Sequence, residues 1–227
     1  GKVFADIGCY TLGALPPYNA IYTTVDMGAS ITMAKGAADA GLYPAVAVIG
    51  DSTFTHSGMT GLLDAVNDQS NITVIISDNL TTGMTGGQDS AGTNKYEAIC
   101  LGLGVDPNHV RVVVPLPKNM PEITQVIREE LNYQGVSVII PRRECIQTAA
   151  RHALEEDRRR LLELDRRVTR LELLGDVLHE LRPLLRAGDD VLQLREHLAA
   201  VADAERERVG TLEERLEHRL QLVVEEN

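Results

Sequence analysis

The sequence predicts an α/β fold: a three-layer parallel sheet of about six strands with helices on both faces, followed by an α-helical, coiled-coil-like hairpin. Three observations lead there. Ala45 to Ile49 and Ile72 to Ile76 are continuous apolar runs of strand length, the pattern of strands covered on both sides. Such runs alternate with helical stretches along the first two thirds of the chain, which implies right-handed crossovers in a parallel sheet. Beyond Thr148 the chain turns to Leu, Glu and Arg at three- and four-residue steps.

In chain order, strands are expected near 3 to 6, 21 to 25, 45 to 49, 72 to 77, 109 to 114 and 136 to 140. Helices are expected near 29 to 40, 57 to 68, 95 to 103 and 120 to 133. Residues 80 to 94, LTTGMTGGQDSAGTN, form a long Gly/Thr loop without periodicity; long ordered loops in compact domains are usually functional. The composition then shifts abruptly. All four Lys and four of the Arg precede Thr148, and fourteen Arg and no Lys follow it. The apolar positions from Leu154 to Leu185 and from Val191 to Val223 read as two amphipathic helices. Ala187-Gly188-Asp189-Asp190 between them offers a helix stop and a new N-cap. An antiparallel hairpin about 50 Å long follows from about 1.5 Å of rise per residue. The expected units are 1–147 and 148–227.

Composition sets limits on function. A length of 227 residues suits one full domain and a smaller unit, and the formal charge of −11 argues against a nucleic-acid partner. No run of 18 apolar residues exists, so no membrane span is expected. Cys9, Cys100 and Cys145 have no C-x-x-C spacing, and a chain with three thiols cannot by itself hold a cluster that takes four. A cytoplasmic enzyme subunit is the expectation. The chain starts at Gly1 at a probable strand, Val3 to Asp6, so it reads as a piece of something longer or as a processed product.

The densest chemistry lies in VAVIGDSTFTHSG, Val46 to Gly58, and VIISDNLTTGMTGGQ, Val74 to Gln88. Each is a strand opening into a Gly-rich loop, and ligands of open parallel sheets gather at the carboxyl ends of the strands. Both loops therefore face one rim. Ser57 to Val66 reads as a helix whose amides and positive end would face an anion in the loop. An oligophosphate suits such a place, and a diphosphate requires a cation as well. Mg²⁺ prefers hard oxygen ligands, which the Asp51 carboxylate, the Asn79 amide and the Thr81 backbone carbonyl can supply. Asp51 can equally be a helix N-cap and Asn79 a turn residue. His56 is the histidine nearest these loops, suited to proton transfer near neutrality or simply solvated in a first helical turn.

Gly50-Asp51-Ser52, followed after about 27 residues by Asp78-Asn79, resembles the thiamine diphosphate signature, usually Gly-Asp-Gly and then Asn. Further blocks extend the likeness: IGCYTLGALPP from Ile7, TTVDMGASITMAKG from Thr23, and SVIIPRREC from Ser137. Over roughly residues 1 to 147 the order and spacing resemble the diphosphate-binding domain of the indolepyruvate ferredoxin oxidoreductase alpha subunit, within the 2-oxo acid ferredoxin oxidoreductases. The likeness stops there, and the hairpin is read from its periodicity alone.

The resemblance implies Mg²⁺ held by Asp51, Asn79 and the Thr81 carbonyl, and a diphosphate cradled by Gly50, Ser52 and Thr85, with cofactor contacts also at Thr53, Gly83 and Gly28. It implies Met27 beneath the cofactor rings, bending the cofactor so that its 4′-amino group meets the thiazolium C2, with the Val25 carbonyl accepting from that amino group. Cys9 would line the pocket, and His56 is the candidate catalytic residue. Met27 and Cys9 also suit ordinary packing. Ser52 departs from the usual third glycine and adds a Cβ near the phosphates. The implied function is oxidative decarboxylation of a 2-oxo acid, an aryl pyruvate such as indolepyruvate, to an acyl-CoA. Implied partners are a pyrimidine-binding domain or subunit that supplies the activating Glu, ferredoxin or an iron–sulfur subunit, and coenzyme A, in an oligomer. Iron–sulfur clusters would lie on a partner or a missing segment, and the isolated chain would be inactive. Two alternatives stand beside this: a non-oxidative thiamine-dependent decarboxylase or carboligase subunit, and a non-catalytic scaffold presenting the hairpin.

Overall fold

The computed structural model of the chain describes residues 1–181 and 188–225. It divides into a unit from Gly1 to Thr148 and a unit from Ala149 to Asn227. In the first, strands β1 (Lys2–Ala5), β2 (Thr23–Thr24), β3 (Ala45–Gly50), β4 (Ile72–Ser77), β5 (Val110–Val113) and β6 (Val136–Pro141) form one sheet in the order β2-β1-β3-β4-β6-β5. Every pairing is parallel. β2 is shorter than the sequence implies, pairing with β1 only through Thr23 and Thr24.

The apolar runs form strands because both faces are covered. Alternate residues divide between two cores. Ala45, Ala47 and Ile49 of β3, Ile72, Val74 and Ile76 of β4 and Val138 and Ile140 of β6 join Ile31 and Ala34 of α1 (Ala29–Asp39) and Leu62 and Ala65 from the helix after β3. On the other face, Ile75 and Ile139 meet Val113 together with Ile123 and Val126 of the later helix Met120–Asn132.

The helix after β3 begins earlier than its expected start at Ser57. Gly50 is still extended, at φ −78° and ψ 155°, and Asp51 opens the helix directly. A first turn, α2 (Asp51–Thr53), passes through a wide turn at Phe54–Gly58, where the Met59 N–H donates to the Phe54 carbonyl, into α3 (Met59–Asn67). That five-residue step is a π-turn. α4 (Tyr96–Gly102) and α5 (Met120–Asn132) fall close to their expected places.

Chain direction places the crevice. From β1 the chain moves outward to β2, and from β3 it moves the opposite way to β4, so the order reverses between the neighbours β1 and β3. Open α/β sheets bind ligands at such a reversal, beyond the carboxyl ends of the strands.

In the second unit, α6 (Ile146–Leu181), which starts just before the division, and α7 (Gly188–Glu225) account for the described residues. Glu205 is buried and pairs with Arg167 at 2.9 Å, Arg206 pairs with Glu172, and Val168 and Ala202 are buried. Leu185 and Ala187 of the expected pattern lie outside the described residues, and Gly188, Asp189 and Asp190 are the first residues of α7. Among the described residues, no helix is long and apolar enough to cross a membrane.

Candidate functional site

At the reversal point lies a cavity of about 300 Å³. Its walls come from the segment after β1, the start of α2, and the loop after β4. The structure brings Cys9, Met27, Gly50, Asp51, Ser52, Thr53, His56, Asn79, Thr81, Gly83 and Thr85 into this lining. Val25 and Gly28 do not line it, and Val25 is largely exposed. Gly28 has its own reason to be glycine. Its φ is +104°, and a Cβ there would lie 2.2 Å from Ser57 Oγ.

Asp51 joins the two loops. Its Oδ1 accepts from the Ser52 N–H at 2.6 Å and from Ser52 Oγ at 3.3 Å, and its Oδ2 accepts from the Asn79 N–H at 3.3 Å. The carboxyl is buried, which raises its pKa above the ordinary range, and Asp78 adds to the effect; the N–H donors oppose it. Asn79 Oδ1 accepts from the Thr81 N–H at 3.1 Å across Leu80, whose φ is +62°. The loop is ordered by more than glycine. Thr81 Oγ1 donates to the Gln88 carbonyl, Thr82 bridges to Gln88, and Thr82 Oγ1 lies 2.8 Å from Ser52 Oγ. The expected aperiodic segment is thus a closed, hydrogen-bonded turn.

Three contributors were not singled out from the sequence. Tyr10 lines the cavity, and its hydroxyl accepts from the Gly50 N–H at 3.0 Å. Burial, and then Asp6, raise the phenol's pKa, so it stays protonated. Arg142 donates from Nε to Asp78 at 2.6 Å and from both terminal nitrogens to Glu97 at 3.0 and 2.7 Å. Asp6, fully buried, accepts the N–H groups of Gly28 and Ser30, each at 2.7 Å. Tyr10 and Arg142 stood inside blocks of known resemblance, but their partners are 40 and 64 residues away and have no local signature.

Among the described residues, no three His, Cys, Asp or Glu side chains gather as a metal site. The cavity lining instead holds one carboxylate, Asp51, together with the neutral residues Asn79 and Thr81. That set fits a hard cation sharing its shell with phosphate oxygens. The cavity beside it is bordered by Gly50 and Gly83, where an added Cβ would find no contact closer than 3.5 Å.

A parallel α/β domain with its crevice at the reversal of strand order belongs to the ligand-binding doubly wound domains. Residues 6–141 match the family described as the thiamine pyrophosphate enzyme, C-terminal TPP binding domain, and the chain belongs to that family. It is 40% identical over 152 residues to the indolepyruvate oxidoreductase subunit IorA of Archaeoglobus fulgidus, covering 62% of this chain and 24% of that protein. To the same-named subunit of Pyrococcus horikoshii it is 37% identical over 166 residues, covering 62% and 25%. The chain thus spans about a quarter of the length of these curated relatives. A solved 2-oxoglutarate:ferredoxin oxidoreductase from Magnetococcus marinus superposes with a TM-score of 0.50 at 18% identity, covering 63% of this chain and 54% of that one, a likeness of fold.

Proposed function

We propose that this chain is the diphosphate-binding half of a thiamine diphosphate-dependent 2-oxo acid oxidoreductase acting on an aryl pyruvate such as indolepyruvate. Coenzyme A and ferredoxin complete its oxidative decarboxylation. The relatives named indolepyruvate oxidoreductase, similar over 62% of the chain, support the substrate class. One observation carries the site: Asp51, on the crest of β3, accepts from the Asn79 N–H on the crest of β4 beside a cavity at the strand reversal.

In this reading Asp51 and the Asn79 side-chain oxygen ligate Mg²⁺, with the Thr81 carbonyl as third protein ligand. Gly50, Ser52, Thr53, Gly83 and Thr85 surround the diphosphate. The Ser52 hydroxyl, already against Asp51 and Thr82, turns the departure from glycine into a polar contact. Met27, about half exposed on the cavity wall, supports the ring system, and Cys9 lines the same side. When bound, thiamine diphosphate supplies the nucleophilic carbon and electron sink needed to cleave the bond between a 2-oxo carbon and its carboxylate. His56, exposed on the cavity wall, is the residue placed to exchange a proton with the substrate.

The domain roles follow in this reading: residues 1–147 hold the cofactor, and α6 and α7 make up the described part of a separate helical unit. Ile7, Leu12, Leu15, Tyr18, Tyr22, Val25 and Met84 are exposed on the segments that follow β1, β2 and β4. A run of large apolar side chains beside a cofactor cavity is the kind of surface another domain covers. We assign it to the pyrimidine-binding partner. We assign electron-carrying clusters to partner segments, since three cysteines are fewer than the four thiolates a cluster takes.

Calorimetric titration with thiamine diphosphate and Mg²⁺ tests the site. Asp51→Ala and Asn79→Ala are each expected to weaken binding at least tenfold. Unchanged affinity in both variants removes the assignment.

A further inference from the structure

We propose that Asp6 is a positioning residue for the ring end of the cofactor, holding the wall that carries Met27 against the wall that carries Cys9 and Tyr10. The inference rests on the thiamine diphosphate reading above. It concerns a carboxylate that does not line the cavity, whereas Asp51 does.

The geometry centres on one side chain. Asp6 follows β1 and is fully buried. Its Oδ2 takes the Gly28 N–H and its Oδ1 the Ser30 N–H, each at 2.7 Å, so both oxygens grip the entrance of α1 just after Met27. The main chain of the same residue ties two other segments. Its N–H donates to the Val48 carbonyl of β3 at 3.0 Å, and its carbonyl accepts from Thr11 Oγ1 at 3.0 Å. Thr11 Oγ1 in turn accepts from the Gly8 N–H at 2.8 Å, closing the turn that presents Cys9 and Tyr10.

The segment has little slack on its far side. A Cβ at Gly28 would come within 2.2 Å of Ser57 Oγ, so residues 27 to 30 are held between Asp6 and the turn at Phe54–Gly58. Hydrogen bonds from backbone N–H to a carboxylate are charge-assisted and short. An Asn in this place keeps one acceptor and turns an NH₂ group toward the second N–H. Met27 then loses its fixed distance from the cavity, while the loops of Asp51 and Asn79 keep their own hydrogen bonds.

This predicts a split between two ligands. The full chain and its Asp6→Asn form are titrated with thiamine diphosphate and, separately, with inorganic diphosphate, both with Mg²⁺. Asp6→Asn is expected to weaken thiamine diphosphate at least tenfold and to leave inorganic diphosphate within twofold. Asp51→Asn is expected to weaken both. Equal loss of the two ligands in Asp6→Asn makes Asp6 a structural residue only and overturns the proposal, as does equal retention. Should the Asn form not fold, Asp6→Glu carries the same test, since its longer arm shifts both N–H contacts while keeping the charge. Parental affinity for thiamine diphosphate in Asp6→Glu then overturns the proposal. An unaltered chain that binds inorganic diphosphate but not thiamine diphosphate overturns the functional reading together with this one.

Discussion

At the scale of single residues, Arg142 shows how much of the site is held from outside the cavity. Its guanidinium joins the buried Asp78, next to Asn79, to Glu97 on α4. Taking away the cation leaves the Asp78 carboxylate, fully shielded from solvent, with the Leu80 N–H at 3.2 Å. Breaking a buried pair in this way costs about 3–5 kcal/mol, and urea unfolding of Arg142→Met is expected to give a loss in that range. The pairing also holds the Glu97 pKa below its ordinary 4.5. A carboxylate shifted down stabilises the fold at every pH above its unfolded value, and that contribution fades as acid protonates it in the folded state. The variant should therefore lose less of its remaining stability than the parent on acidification below about pH 4.5, the ordinary Glu value. Asp51 and Asn79 were legible because their partners are neighbours in a repeated strand-loop pattern. Asp6 and Arg142 were not, because a carboxylate gripping N–H groups 22 and 24 residues away leaves no local trace.

Among the elements, the turn between α2 and α3 was the least legible, and it is tightly filled. Helical period sees apolar spacing, and a π-turn merely shifts that spacing by one residue, so the sequence placed the helix start at Ser57 instead of Asp51. Gly58 closes the turn. A Cβ there would meet Ile49 Cδ1 at 2.7 Å and Phe54 Cδ2 at 3.0 Å, both in the core. Gly58→Ala is expected to destabilise by about 1–3 kcal/mol, the usual cost of overpacking. Gly36, exposed on α1 with nothing within 4 Å of its Cβ position, predicts the opposite sign. Gly36→Ala should stabilise by about 0.5–1 kcal/mol through helix propensity and unfolded-state entropy. Parallel denaturation curves of the two variants read both signs. The strands were easier to place, since β3, β4 and β6 are covered on both faces and leave unbroken apolar runs. β2, two residues long at the sheet edge, carries no such run.

For the whole molecule, the fold class was legible because alternation of element types dictates a parallel sheet, and the change of composition near Thr148 coincides with the division between units. What an intact enzyme adds was not, since the chain spans about a quarter of its curated relatives. The functional reading therefore predicts dependence on a partner. Supplied with thiamine diphosphate, Mg²⁺, indolepyruvate, coenzyme A and an electron acceptor, the purified chain is expected to produce no CO₂ above background, and to do so once a pyrimidine-binding partner is added. Robust release by the chain alone would contradict the half-site assignment. The adjacency of β3 and β4 carries one more consequence. Asp51 and Asn79 are brought together by a single strand–helix–strand excursion, whereas β6 reaches its place beside β4 only across some 64 residues. Closing a short excursion sacrifices less chain freedom than closing a long one. The two crests can thus meet while later strands are still emerging from the ribosome, which makes the contact between the Asn79 N–H and Asp51 an expected early landmark of the folding route.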